Sequence, residues 1–148
     1  MVTTDEEIAS PQSRDLIHET AEQAGLVLVP EPAGENEAVK TLRKGIARYW
    51  VRSEGLASHA GNAPEAGINA IIDNAHQAIK VNDFNDLANG TSTSVTQLND
   101  GVTMNVIPAT SEFYVDVRFT KSSEAERIDT LIKSLEPVVP GAKVSVRG

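Results

Sequence analysis

Residues 112–119 read Glu-Phe-Tyr-Val-Asp-Val-Arg-Phe. Phe113, Val115, Val117 and Phe119 alternate with Glu112, Tyr114, Asp116 and Arg118. A period of two over this length predicts a strand with one apolar and one polar face. Reading upstream, Asn99-Asp100-Gly101 has turn chemistry, and Thr91–Leu98 is rich in Thr and Val, as a strand requires. Pro64–Val81 carries Ile68, Ile71, Ile72, Ala75, Ala78, Ile79 and Val81 on one broad apolar face, which predicts a helix. Ile46–Val51 reads as a further strand. Reading downstream, Ser122-Ser123-Glu124-Ala125-Glu126 opens a helix, with Ser123 and Glu126 at capping-box spacing. Its stripe is Ile128, Leu131, Ile132 and Leu135, and Pro137, Pro140 and Gly141 end it. Lys143–Val146 is a last short strand. From Gly45 on, the order is therefore β-α-β-β-α-β. This is an α+β, ferredoxin-like arrangement: a four-stranded antiparallel sheet with two helices on one face.

The first part of the chain has a different character. Ser10-Pro11 is a helix-start signal, Pro11–Ala24 has helical spacing, and Gly25 is placed as a C-cap. Leu26–Val29 is a continuous apolar run closed by Pro30, which reads as a buried strand of an α/β sheet. Loop, helix and strand make a fragment of a layered α/β domain rather than a domain. The expected division is a fragment over 1–34, a linker over 35–44 and a complete domain over 45–148. Because Leu26–Val29 lacks a partner strand in this chain, it is expected to be disordered, displaced or packed on another surface.

Composition removes several function classes. The 148 residues hold 13 Lys and Arg against 21 Asp and Glu, a net charge of −8. Such a balance disfavours nucleic acid and anionic membranes, both of which need a basic surface. No apolar run approaches the ~20 residues of a membrane-spanning helix. The opening Met-Val-Thr-Thr-Asp-Glu-Glu is acidic where a secretory signal is basic and apolar. With no cysteine, a thiolate metal site or a Cys nucleophile is excluded, and a metal would rest on carboxylates and imidazoles.

Five places could carry chemistry. Asp5-Glu6-Glu7 is either a solvated acidic segment or a paired-carboxylate site, in which one group binds a metal and the other acts as general base on bound water. Glu31, held between Pro30 and Pro32 after the apolar run, is either a loop residue or a ligand converging with Glu7. His59 sits in Gly55-Leu56-Ala57-Ser58-His59-Ala60-Gly61, whose small residues allow close approach of another chain, and an imidazole can donate to an oxyanion. Asn105 lies in Gly101–Pro108. Arg118, on the polar face of its strand, is either a surface residue or a bidentate carboxylate binder. His18 and His76 fall on predicted helices and read as surface residues.

Together these pieces resemble the M20 family of zinc-dependent metallopeptidases and amidohydrolases, which includes glutamate carboxypeptidases, aminoacylases and succinyl-diaminopimelate desuccinylase. T-D-E-E-I-A-S is similar to the family's D-E-E-x-G-S. V-P-E-P resembles its ligand-bearing strand end, G-L-A-S-H-A-G its G-x-x-x-H-A-G, N-D-G-V-T-M-N-V-I-P its G-G-x-x-x-N-V-V-P, and D-V-R its D-x-R. Ala9 and Asp100 depart from the pattern, each standing where the family has Gly.

The resemblance implies roles. Glu6 would be the general base, and Glu7 and Glu31 metal ligands. His59 would stabilise an oxyanion in the partner subunit's site, and Asn105 and Arg118 would hold the substrate's carboxylate end. Residues 45–148 would be the family's lid, which also forms a homodimer, through the strand Thr91–Leu98 and the helix Pro64–Val81. Residues 1–34 would be the end of a catalytic segment. The family's H-x-D motif, bridging Asp and final His are missing, so the chain reads as a piece of a two-zinc hydrolase acting on small peptides or N-acyl amino acids, inactive by itself. The compartment is unknown, with the cytoplasm favoured. A free-standing ferredoxin-like dimerisation or ligand-binding module is the alternative.

Overall fold

In the computed structural model, Ala9, Glu31, Ala33 and Gly34 fall outside the described residues of the 148-residue chain. The chain divides into two units, Met1–Thr41 and Leu42–Gly148.

Among its described residues the first unit has one α-helix, α1 (Arg14–Glu22), with 3-10 turns at Glu6–Ile8 and Glu35–Glu37. The helix starts three residues later than Pro11, with Ser13 in the capping position, and Asp5 holds the turn just before it. The Asp5 carboxylate accepts from the backbone N–H groups of Gln12 and Ser13, at 2.9 and 3.1 Å, and from the Ser13 hydroxyl. Ser10, expected as the cap, instead takes a left-handed backbone with φ of 51°. The bond from Ser13, with the two backbone bonds, holds the Asp5 carboxyl below its ordinary pKa. Gly25 is not the C-cap; the helix ends against Gln23. Leu26–Val29 forms no strand, and its four side chains are 57–79% exposed. No described residue of this unit is buried, so nothing here supplies the ladder partner or the core that an apolar strand requires.

The second unit is the predicted α+β sandwich. Its sheet strands are β1 (Gly45–Glu54), β3 (Ser92–Asp100), β5 (Thr110–Phe119) and β6 (Lys143–Arg147). They lie in the order β3-β5-β1-β6, with every neighbouring pair antiparallel. Between β1 and β3 runs α2 (Ala70–Asn82), and α3 (Ser122–Lys133) joins β5 to β6. A separate two-stranded ribbon pairs β2 (Ser58–His59) with β4 (Val106–Ile107). The sheet's apolar face supplies Tyr49, Val51, Phe113, Val115 and Val117 to one core, the helices supply Val81, Ile128 and Ile132, and Leu135 joins them from just past α3. Both helices therefore cover one face.

The structure departs from the sequence reading at several places in this unit, for local reasons. The segment Pro64–Val81 is not one helix. A 3-10 turn at Pro64–Ala66 ends at an extended Gly67, and α2 begins afresh behind Asn69, whose side chain accepts from Ile71 and Ile72 N–H. Asn99 and Asp100 belong to β3, and the turn comes one residue later, where Gly101 has a φ of +71°. The capping box of Ser123 with Glu126 does not form, because α3 begins at Ser122 with Lys121 in the capping position, which places Ser123 inside the first turn.

A polar clamp joins α2 to the sheet and to the segment after α3. Asp73 is fully buried and accepts from Ser53 Oγ at 2.7 Å and from the N–H groups of Val138 and Val139 at 2.7 and 2.9 Å. Next to it Asn74 donates to Ser111 Oγ at 2.6 Å. An Asp73→Ala change takes the acceptor from the N–H groups of Val138 and Val139 and leaves the buried Ser53 hydroxyl only its longer 3.2 Å bond to Asn74. It should lower the unfolding free energy by about 3 kcal/mol, read from urea titration with an unchanged slope. Tyr49 ties β1 to α3 through a 3.0 Å bond to Asp129. Burial, aided by Asp129, pushes its hydroxyl pKa up from 10.0 to about 12. This contribution is complete below pH 10 and is lost as the pH rises through 12. Tyr49→Phe should therefore flatten the fall in stability over that interval.

Candidate functional site

The ribbon is the feature that the sequence reading lacked, and it carries two of the expected site residues. After β1, the Gly55 N–H bonds Ala109 O at 2.8 Å, and Leu56 exchanges two backbone bonds with Ile68, at 3.0 and 2.9 Å. The chain is thus held between the start of β5 and the segment before α2, and it enters β2 with a fixed direction. A side chain at Gly55 would collide with the Ile68 carbonyl, and one at Gly67 with Ser58 and Ile107. Both positions must be Gly for the strands to approach this closely.

His59 pairs with Val106 across the ribbon, and the Ala60 N–H bonds the Asn105 carbonyl at 2.9 Å. His59 and Asn105 are both exposed and meet at one end of this ribbon. The imidazole Nδ1 accepts from the N–H groups of Gly61 and Asn62, at 3.1 and 3.0 Å. An Nδ1 acting as acceptor places the proton of the neutral ring on Nε2, which is left as an outward donor. Asn105 is oriented in a similar way: its Oδ1 accepts from Thr103 Oγ1 at 2.6 Å, which leaves the NH₂ group to donate. The ribbon end thus presents two neutral N–H donors suited to a carbonyl oxygen, an oxyanion or a carboxylate.

Arg118 lies elsewhere. It sits near the far end of β5, on the sheet face opposite the helices. Its Nε and Nη2 donate to Asp116 at 2.6 and 3.1 Å, and this pairing raises its pKa. Two of its five N–H groups are used, and the remainder can bind an anion. The same face carries Trp50 edge-on to Tyr114 at 5.0 Å, with the Arg147 guanidinium 4.8 Å over the indole. Along β5, Arg118 stands nine residues from Ala109, where the ribbon is tied, or about 30 Å at ~3.3 Å per residue. Within one copy, Arg118 and the His59–Asn105 ribbon cannot hold one small molecule.

Of the carboxylates, Glu6 and Glu7 are exposed in the 3-10 turn of the first unit. Glu31 lies outside the described residues. Among the described residues no group of three His, Asp or Glu side chains could hold a metal. His18 and His76 are exposed on α1 and α2, as expected. Among the described residues no helix is long and apolar enough to cross a membrane.

Residues 41–136 match the family model described as the M20 peptidase dimerisation domain. Carboxypeptidase G2 of Pseudomonas sp. (strain RS-16) is 36% identical over 137 residues, covering 92% of this chain and 32% of that protein. Succinyl-diaminopimelate desuccinylase of Rickettsia akari (strain Hartford) is 26% identical over 151 residues, covering 94% of this chain and 39% of that protein. The chain thus spans about a third of the length of the curated relatives it matches. Among solved structures, the aminobenzoyl-glutamate utilization protein of Klebsiella pneumoniae superposes with a TM-score of 0.57 at 22% identity, covering 71% of this chain and 28% of that one. A hydantoinase/carbamoylase-family amidase of Burkholderia multivorans gives 0.58 at 20% identity, with coverage of 71% and 27%. At these identities the structures establish the shared fold.

Gly55→Ala tests the local account. It should cost about 2 kcal/mol of stability and shift the amide resonances of Ser58, His59 and Val106, while those of α3 stay in place.

Proposed function

Because this chain belongs to the M20 peptidase family through its dimerisation domain, we propose that it is the lid, with an adjoining catalytic segment, of a hydrolase that cleaves an amide bond next to a carboxylate. Residues 45–148 are the lid, 35–44 the linker and 1–34 the catalytic segment. The substrate class is a small peptide or an N-acyl amino acid, in keeping with the carboxypeptidase and desuccinylase names among its relatives.

Zinc, when bound in the whole enzyme, would polarise the scissile carbonyl and activate water. The donors described in this chain do not by themselves fit such a site, since three protein ligands are the usual minimum. Glu7 and Glu31 would be contributions to a larger set, with Glu6 as the adjacent base. What the chain's own residues would do is clearer. His59 Nε2–H would donate to the oxygen that gains charge, and Arg118 would bind the substrate carboxylate through its free N–H groups. The Asn105 amide, expected beside Arg118 at the carboxylate end, stands beside His59 in one copy and would reach that end only where two copies meet.

The observation that carries this reading is the separation of Arg118 from the ribbon. One copy cannot bring both to a small substrate, but two copies can. We therefore assign the working unit as a homodimer in which His59 and Asn105 of one copy complete the site containing Arg118 of the other. The dimer surface is the open edge of β3 with the neighbouring side of α2. Support for this comes from a groove of about 630 Å³ between them, lined in part by Ile79, Leu87 and Val95, and from the 64% and 72% exposure of Ile79 and Leu87.

Mixing two inactive variants of the whole protein tests this. His59→Ala and Arg118→Ala should each lose most activity alone. After subunit exchange the mixture should recover about a quarter of the wild-type rate, since half the dimers are hybrid and each hybrid has one intact site. No recovery despite demonstrated exchange would sink the shared-site reading and favour a non-catalytic binding module.

A further inference from the structure

Asp100 stands where the related family pattern has glycine, and the structure gives it an unusual position. It ends β3 opposite Ser111. A one-residue bulge at Thr96 shifts the register, so that Leu98 and Asp100 turn to the helix side of the sheet with the buried Phe113 and Ser111. Both Asp100 carboxylate oxygens are shielded from solvent, and among the described residues neither receives a hydrogen bond. The Ser111 hydroxyl opposite it accepts from Asn74 and makes no bond to Asp100. A desolvated carboxylate with no donor is strongly unfavourable, and such groups are normally paired.

The same residue lines a cavity of about 410 Å³ with Ala57, Val102, Val106, Pro108 and Thr110. None of the other residues lining this space is charged. The cavity adjoins the ribbon, because Ala57 leads into β2 and Val106 pairs with His59. Asp100 as a whole is only half-buried, so rotation about its own side-chain torsions can turn the carboxylate into this space. Mainly apolar walls with one anion at the edge suit a short alkyl chain that ends in a cationic nitrogen.

We infer that this cavity is a subsite for an ammonium or guanidinium group at the end of a short alkyl arm of the substrate, with Asp100 as its counter-ion. The cation site itself rests on Asp100 and the cavity. Its assignment to the substrate rests on the reading of His59 and Asn105 as substrate-facing.

The probes are n-propylammonium and n-propylguanidinium, with n-propanol and propionate as neutral and anionic controls. They are titrated into the full chain while the amide resonances of Ala57, Asp100–Val102 and Val106 are followed. The cations should give saturable shifts in the millimolar range, and Asp100→Asn should weaken them about tenfold or more. Asp100→Ser serves if the Asn variant is unfolded. His59→Ala should bind the cations as the wild type does. Equal shifts from n-propanol, or cation binding that survives loss of the carboxylate, would overturn the site. In the whole enzyme, substrates with a terminal amine should exceed their neutral isosteres in kcat/KM, and Asp100→Asn should remove that preference. Cation binding without any such preference would overturn the substrate assignment. Failure of the subunit-mixing experiment would leave the cation titration unaffected, so the two readings fail separately.

Discussion

The pairing of β1 with β5 is the constraint on which the rest of the second unit depends. It runs unbroken from Gly45 opposite Phe119 to Glu54 opposite Thr110. These are the two central strands, and the buried side chains Tyr49, Val51, Phe113, Val115 and Val117 all come from them. A slip of one residue would exchange this face for the one bearing Arg48, Trp50, Asp116 and Arg118. The same register sets the position of Gly55 against Ala109, and so the place where the ribbon leaves the sheet. Near the opposite end it sets the place of Arg118. One ladder therefore fixes both the core and the distance between two groups of polar side chains.

The helices are positioned on this ladder partly by polar contacts. Asp73, one turn into α2, reaches both β1 and the segment after α3 through three hydrogen bonds. An apolar residue there could pack, but it could not specify which backbone groups meet it. The bonds from Ser53, Val138 and Val139 do so, because each is directional and each donor is costly to leave unmade. The start of α2 is thereby aligned with the segment at Pro108, whose carbonyl accepts from the Ala70 N–H. The helix side of the sheet, the ribbon and the Asp100 cavity share this corner of the fold.

The two units differ in the same physical terms. In Leu42–Gly148, apolar residues alternate across paired strands and are covered by helices. In Met1–Thr41, the apolar run Leu26–Val29 has no ladder among the described residues and stays open to solvent. Its order of helix then apolar run is that of an α/β layer, and such a layer is stable only when a neighbouring strand satisfies its backbone. Asp5 shows how local chemistry still operates there. A carboxylate in a motif that reads as catalytic is used to hold the turn just before α1, while Glu6 and Glu7 remain exposed.

Much was legible in the residues alone. The period of two in 112–119, the apolar stripes of α2 and α3 and the order of elements were enough for the antiparallel sheet with two helices on one face. They suffice because burial rewards periodicity and periodicity is local. The family motifs singled out His59, Asn105 and Arg118 in the same way. Tertiary structure alone decided what these residues can do together. The ribbon that joins His59 to Asn105 pairs segments nearly fifty positions apart, with two residues in each strand; so short a pairing leaves no periodic trace. The bulge at Thr96 is a one-residue shift that composition cannot reveal, yet it decides which side of the sheet Asp100 occupies. The separation of Arg118 from the ribbon is likewise a length along a folded strand, and only the paired register turns that length into a reason for a second copy.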